Sequence, residues 1–296
     1  MERKIILIAG ATGTSGRYIT SSLTESGYQI RAIVRDKKKA RSILPEDIEL
    51  VEGDLRQISD VERAMQGVSG VYISLGIEEN QTEKTWNLLT EGLKNLLVIA
   101  RVHDIEHIVG HFMMGARPDK FSCSSWWGYN LQAKAVQILE NSRIPLTLFF
   151  CSPFMENFET RFRKGKTIRI LTDSKFPIYW TSARQVGKMA AKAFFIKEFQ
   201  GQSYSVQGTE ALHLKSAAEI FVTCYKKANL TLQNSDSNLV KMFSRFRPGM
   251  DFESQWMEAI SNEPEEFESE KTWQEFGIPP IRFSEFAKTP DPDLIG

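Results

Sequence analysis

The residues Gly10-Ala11-Thr12-Gly13-Thr14-Ser15-Gly16 follow a short apolar run, Lys4 to Ala9, and open a helical pattern. Glycines at that spacing suit a phosphate cradle. Gly10 permits the tight turn, Gly13 lets the backbone approach a pyrophosphate, and Gly16 lets the helix pack close to the strand. The helix N-terminus adds free N–H groups and a partial positive charge, with Thr12, Thr14 and Ser15 as further candidate contacts. A second signal ends the next apolar run, in Val34-Arg35-Asp36-Lys37-Lys38-Lys39. An NAD site places an acidic residue there to accept from the ribose 2′-hydroxyl. Arg35 instead offers a planar donor fork that suits a 2′-phosphate. The lysines either add positive charge or form a solvated helix start, and a register shift of one residue would make Asp36 the ribose acceptor. The expected cofactor is therefore NADP(H) in preference to NAD(H), with Arg35 as the main discriminating contact. Asp54 and Leu55 are placed to border the adenine, and Ser74 the ribose and pyrophosphate.

These residues need a scaffold, and the first 150 residues supply an alternation of short apolar runs and amphipathic helices. Strands are expected at Lys4 to Ala9, Tyr28 to Val34, Ile48 to Glu52, Gly70 to Leu75, His107 to Met113 and Leu146 to Cys151. Helices are expected at Gly16 to Ser26, Asp36 to Ile43, Ile58 to Met65, Lys84 to Val102 and Tyr129 to Asn141. In the fourth helix Trp86, Leu89, Leu93, Leu96, Leu97 and Ala100 share one face. Nearly all-apolar strands between helices indicate a doubly wound parallel sheet, covered on both faces. Two further helices, Ser182 to Phe195 and Lys215 to Lys227, and a strand near Ser203 to Val206 suggest a small lobe over the carboxyl ends of the strands. The expected division is a dinucleotide-binding core over 1–152, a substrate-side α/β lobe over 153–250 interleaved with it, and a helical extension over 251–296.

The chain has 296 residues, with 37 Lys plus Arg against 37 Asp plus Glu. Its apolar content of 42% is ordinary for a soluble globular protein. The lack of excess positive charge argues against direct nucleic-acid binding, and no apolar run is long enough to span a bilayer. The N-terminus does not read as a signal peptide. Three scattered cysteines, Cys123, Cys151 and Cys224, suggest reduced thiols in a cytoplasmic protein. The neutral total conceals an asymmetry. Residues 251–296 hold twelve acidic and three basic residues, a balance of −9, which leaves +9 for residues 1–250. Trp256, Phe267, Trp273 and Phe276 in the acidic segment need an apolar surface. The segment is expected to dock on the body, with a second subunit of a homodimer as the alternative.

Together GATGTSG, VRD, EGDL and KAVQILENSRIPLTLFFCSPFMENF resemble the NmrA-like, isoflavone-reductase-like branch of the atypical short-chain dehydrogenases/reductases. The resemblance covers residues 1 to about 225 and implies a Rossmann fold that binds NADP(H). Active members of the wider family use a Ser at the end of strand five and a Tyr four residues before a Lys. Lys134 matches that Lys, as a ribose ligand or a proton donor, but Asn130 stands four residues earlier. Tyr129 is five residues before it, about 140° away around the helix. Strand five ends in Gly110-His111-Phe112-Met113-Met114, without the usual serine. His111, with an ordinary pKa near 6.5, is the alternative proton donor, or else a packed histidine at a strand end. The resemblance also implies that Phe154 covers the nicotinamide. Asn157 either shapes the substrate pocket or belongs to an ordinary helix after Pro153.

Other clusters carry less. His103, His107 and His111 would align for a metal only on one helix; in a strand, His107 and His111 are about 13 Å apart, so no metal site is expected. Trp126 and Trp127 beside Tyr129 are either a pocket lining or simple packing. Arg161, Arg163, Lys164, Lys166 and Arg169 either meet an anion or the acidic segment or form a solvated face. Two functions remain: an NADPH-dependent reductase of a small organic substrate such as an enone, quinone or imine, or a non-catalytic NADP(H)-responsive redox sensor that acts through a regulatory protein partner.

Overall fold

The computed structural model describes residues 4–77, 87–119, 126–171, 173–234 and 248–289. Lys84 to Trp86, Cys123, Pro290 and Pro292 lie outside the described residues. The first half runs β1 (Ile5–Ala9), α1 (Gly16–Glu25), β2 (Gln29–Val34), α2 (Lys37–Arg41), β3 (Glu49–Glu52), α3 (Ile58–Met65), β4 (Val68–Ile73), α4 (Leu93–Val102), β5 (His107–Met113), α5 (Trp127–Glu140) and β6 (Leu146–Cys151). The second half adds β7 (Arg163–Lys164), β8 (Thr167–Ile170), β9 (Ile178–Tyr179), α6 (Ala183–Phe195), β10 (Gln202–Val206), β11 (Ala211–Leu212), α7 (Leu214–Cys224) and β12 (Thr231–Asn234). Three helices follow: α8 (Pro248–Asn262), α9 (Glu270–Phe276) and α10 (Phe283–Lys288).

The main sheet has seven parallel strands in the order β10-β6-β5-β4-β1-β2-β3. This is the doubly wound arrangement that the alternation of elements predicts. Its strands are buried on both faces, so Ile6, Leu7, Ile8 and Ala9 are all apolar and enclosed. Leu7 and Ile73 face the layer of α3, α4 and α5, while Ile8 and Tyr72 face that of α1 and α6. The chain reverses direction across the sheet between β1 and β4, which opens a crevice at their carboxyl ends. Strand β4 begins two residues before its expected start, because Gly67 turns the chain at φ +71°.

The core extends beyond residue 152. The strand expected in the small lobe is β10, which pairs in parallel with β6 from Gln202 against Thr147 to Val206 against Cys151. Helix α6 packs on α1 so closely that a Cβ on Gly187 would lie 2.6 Å from the Ser22 Cβ. The lobe itself carries the sheets β12-β8-β7 and β11-β9. Its apolar centre is aromatic: Phe158, Phe162, Trp180 and Phe221 are all fully enclosed.

The acidic extension docks on this same chain. Its α9 and the preceding turn run beside the edge strand β10. The Ser269 hydroxyl donates to the Ser205 carbonyl at 2.8 Å, and the Glu268 N–H donates to Gln207 Oε1 at 2.6 Å. Phe276 stacks on Phe199 with ring centres 4.5 Å apart, and Phe267 packs against Tyr179 and Trp273. An exposed edge is thereby covered, which removes a pairing template from solvent. Phe283 of α10, 1% exposed, meets Phe158 edge-on at 5.1 Å. Phe283→Ala is therefore expected to destabilise the whole chain by about 3–5 kcal/mol. Guanidinium unfolding should remain one transition with a lowered midpoint; an unchanged midpoint would mean that the extension contributes nothing to the fold.

Candidate functional site

The glycine loop lies across the end of β4. Gly10 has φ +93°, and a Cβ there would lie 2.2 Å from the Ser74 carbonyl oxygen. A Cβ on Gly16 would lie 2.0 Å from the Gly10 carbonyl oxygen. Only hydrogen fits at either position. The Gly13 N–H donates to the Gly10 carbonyl at 3.1 Å, which closes the turn. Among the described residues, the N–H groups of Thr14 and Ser15 have no hydrogen-bond acceptor. Thr12 and Gly13 are exposed, and Thr14 and Ser15 half-buried, so the loop keeps N–H groups at the mouth of α1. A cradle emptied of side chains, with free donors at a helix start, fits the pyrophosphate of a dinucleotide.

Behind the loop runs a chain of hydroxyls and one imidazole. Ser74 Oγ is 3.4 Å from Ser15 Oγ, which is 3.0 Å from His111 Nε2; His111 Nδ1 is 3.0 Å from the Tyr72 hydroxyl. Burial lowers the His111 pKa to about 4. The ring is neutral near pH 7, with about one molecule in a thousand protonated. His111 is therefore a hydrogen-bonding floor of the site and a poor store of protons. His107 donates or accepts at 2.9 Å with the Thr147 hydroxyl, and burial, followed by the nearby Lys4, lowers its pKa to about 4.

A cavity of about 290 Å³ extends from this floor. Gly13, Thr14, Ser15 and Ser74 border one part, and His111, Phe154 and Asn157 another. The Phe154 ring meets His111 edge-on at 5.5 Å. Trp126, Phe252, Trp256 and Arg161 also line it, and Phe252 and Trp256 come from α8 of the extension. The Arg161 guanidinium lies over the Trp256 ring at 5.1 Å and the Phe252 ring at 5.6 Å. Arg161 is thus a cavity residue that meets the acidic segment, as does Lys164, which pairs with Glu253 at 3.5 Å. Gln132 also lines the cavity, and no sequence motif marked it. Its partner is the Met113 N–H, which donates to Gln132 Oε1 at 2.8 Å.

Other expectations fare differently. Arg35 stands exposed directly after β2. Asp36 caps α2: the Lys39 N–H donates to its Oδ1 at 2.9 Å, so this carboxylate already has a backbone partner. Asp54 is half-buried after β3 and accepts from the Arg56 N–H at 2.9 Å. The Leu55 side chain turns into the core with α3 and α4, and its carbonyl accepts from the Asn95 amide at 2.8 Å. Lys134 is the residue expected to hold the ribose or to give a proton. It is exposed on α5 and is not among the cavity residues, since it lies two positions, about 200° of helix, from Gln132. Its neighbour Tyr129 is buried, and burial, with the charges of Glu263 and Glu265, raises its pKa.

The lobe is tied to α1 beneath the loop. Buried Glu156 caps α6, accepting from the Ser182 hydroxyl at 2.7 Å and the Ala183 N–H at 3.0 Å. The Tyr18 hydroxyl donates to Glu159 Oε2 at 3.0 Å. Burial above all, with the Glu156 charge adding, raises Glu159 to about 7, although the Tyr18 bond opposes this.

With this geometry in view, comparison with known proteins places the chain. Residues 10–194 match the NAD(P)H-binding family. The chain belongs to that family. An NAD(P)H azoreductase from Xenophilus azovorans is 28% identical over 223 residues, which span 73% of this chain and 71% of the relative. Among solved structures, the Citrobacter sp. triphenylmethane reductase with NADP(H) aligns at a TM-score of 0.71 and 18% identity, covering 96% of this chain and 99% of its own. The Escherichia coli NADPH-dependent quinone oxidoreductase with NADPH aligns at 0.68 and 19%, covering 95% and 98%. At these identities the solved structures establish the fold. Among the described residues, no helix is long and apolar enough to cross a membrane.

The two histidines set an acid limb of stability. Their folded pKa values lie below the unfolded value of 6.5, so the unfolded chain takes up protons first as pH falls. Their contribution is complete above about pH 6.5 and is lost towards pH 4. Glu159 acts in the opposite sense, losing its contribution as pH rises from about 4.5 through 7. His111→Gln is expected to flatten the fall in urea midpoint between pH 6.5 and 4. A slope equal to that of the unsubstituted protein would contradict the buried, neutral imidazole.

Proposed function

We propose that this protein is an NADPH-dependent reductase of a small, planar organic electrophile such as an enone, a quinone or an imine. The observation that carries this reading is one continuous cavity that joins the phosphate loop, at Gly13 to Ser15, to an aromatic chamber walled by Trp126, Phe252 and Trp256. A dinucleotide extended from the loop along the carboxyl ends of β1, β4 and β5 would direct its far end into that chamber. When bound, the reduced dinucleotide supplies a hydride.

The residues assigned to holding it are Gly10, Thr12, Gly13, Thr14, Ser15 and Gly16 for the pyrophosphate, Ser74 and Asp54 along its length, and Phe154 over the nicotinamide. The preference for NADP(H) over NAD(H) rests on Arg35, whose guanidinium suits a 2′-phosphate, and on the engagement of Asp36 as a helix cap. With His111 neutral, solvent is the proton source in this reading. Unpaired Cys151 and Cys224 support a reducing compartment, the cytoplasm.

The three relatives named above reduce azo, quinone and triphenylmethane compounds, as their names state, and aromatic acceptors of this kind are in keeping with the aromatic walls. The direct test is NADPH oxidation over a panel of quinones, enones and imines. Turnover supports the reading; tight NADPH binding with no turnover across the panel would transfer the protein to the cofactor-responsive regulators. Arg35→Glu should weaken NADPH binding about 100-fold, a loss on the scale of a charge-assisted contact with charge reversal, with NADH affinity little changed. Equal losses for both cofactors would remove the NADP(H) assignment.

A further inference from the structure

Among the described residues the cavity lacks the serine–tyrosine pair that short-chain reductases use to polarise a carbonyl, and His111 is neutral. Gln132 has the properties needed to replace that pair. It sits on α5, is 8% exposed, and lines the cavity. Its Oε1 accepts the Met113 N–H at the last residue of β5. A backbone N–H can only donate, so the amide has one orientation, with its oxygen toward β5 and its nitrogen away from it. Among the described residues Nε2 has no hydrogen-bond partner. The residue lines the cavity, so a bound ligand can reach this donor. Here a pinned, neutral donor faces a chamber built for a flat ligand.

We infer that Gln132 donates a hydrogen bond from Nε2 to the carbonyl oxygen of the substrate, and that the substrate class is a planar conjugated carbonyl, an enone or quinone. The inference rests on the reductase reading above and deepens it. In the reduction, a hydride taken from the nicotinamide dinucleotide, which is left oxidised, forms a new bond to a carbon conjugated with the C=O. The π electrons move onto oxygen, giving an enolate or phenolate, and water then supplies the proton. Negative charge thus develops on the atom that Nε2 faces. A pre-oriented donor interacts more strongly with that anion than with the starting carbonyl, and loss of one such donor lowers turnover about 10²–10³-fold. Arg161, the charged side chain among the described lining residues, adds a positive field to the same chamber.

The test uses full-length protein with NADPH and a naphthoquinone. Gln132→Glu keeps an acceptor for the Met113 N–H and nearly the same shape, but exchanges the donors for a carboxylate. Its kcat is expected to fall about 100-fold near pH 8 and to recover as pH is lowered and the new carboxyl gains a proton that it can donate. Gln132→Met should lose a similar factor at every pH. NADPH affinity should be unchanged in both variants. Quenching of tryptophan fluorescence by the quinone, measured with NADP+ and hence without turnover, should show binding weakened about tenfold near pH 8. In the unsubstituted protein, naphthalene should bind about tenfold more weakly than naphthoquinone, a comparison that needs no variant.

Turnover within twofold of the unsubstituted protein in both variants would overturn the inference. So would a loss in the Glu variant that acid does not reverse, or equal affinity for naphthalene and naphthoquinone. Turnover of azo or triarylmethane compounds alone would leave the reductase reading standing and remove the carbonyl assignment. No turnover of any acceptor would remove both.

Discussion

The site depends on the contact between the glycine loop and the end of β4. With Gly10 against the Ser74 carbonyl and Gly16 against Gly10, the first turn of α1 is placed directly over the crevice at the strand ends. The approach brings Ser15 within reach of both Ser74 and His111, and His111 within reach of Tyr72. A methyl group at Gly10 would meet backbone, which cannot rotate away, and its φ of +93° would be strained for any other residue. The loop's identity is therefore a packing requirement before it is a binding one. The exposed N–H groups at its tip are a consequence of that packing.

The same crevice is completed from the other end of the sequence. Phe252 and Trp256 reach the cavity because α8 packs on the lobe, with Trp256 stacked on Phe162 at 5.7 Å. Several acidic residues of the extension make specific polar contacts with the body. Glu265 accepts from the Ser152 hydroxyl and the Tyr179 N–H, Glu268 pairs with Arg117, and Glu275 accepts from the Tyr204 hydroxyl. The +9 and −9 halves of the sequence thus meet within one chain. Exposed ion pairs contribute little individually, so the aromatic contacts carry most of the docking energy and the carboxylates set its register.

Local patterns in the sequence were enough for the strands of the first 152 residues, the loop and the start of α1, because parallel strands must be apolar throughout and only glycine fits at Gly10 and Gly16. Long-range pairings were not legible in this way. Nothing near Gln202 distinguishes an edge strand of the main sheet from a lobe strand; the distinction lies in its pairing with β6. Arg161 sits in a run of cations that reads either as solvated or as a partner of the acidic segment, and only the return of α8 about ninety residues later decides between them and makes it a cavity wall. The exposure of Lys134 follows from helical phase, which is set by the neighbours the core accepts, here Tyr129, Gln132, Ala133 and Val136. Gln132 carried no signal at all, because an amide becomes informative only when one of its ends is pinned.

The groups around the cavity share one electrostatic character. Burial holds His111 neutral and keeps the phenols of Tyr72 and Tyr129 protonated, and the Cys151 thiol is likewise raised. Beneath α1, Glu159 is raised to about 7. A low-dielectric enclosure penalises every charge that lacks a close partner, so proton relays through these side chains would be slow near neutral pH. The same enclosure strengthens fixed dipoles such as backbone N–H groups, hydroxyls and a pinned amide. A site of this kind is poorly equipped for acid–base catalysis and well equipped to stabilise charge that arrives with a hydride. The lack of a serine–tyrosine pair among the described residues and the neutrality of His111 are thus two expressions of one environment.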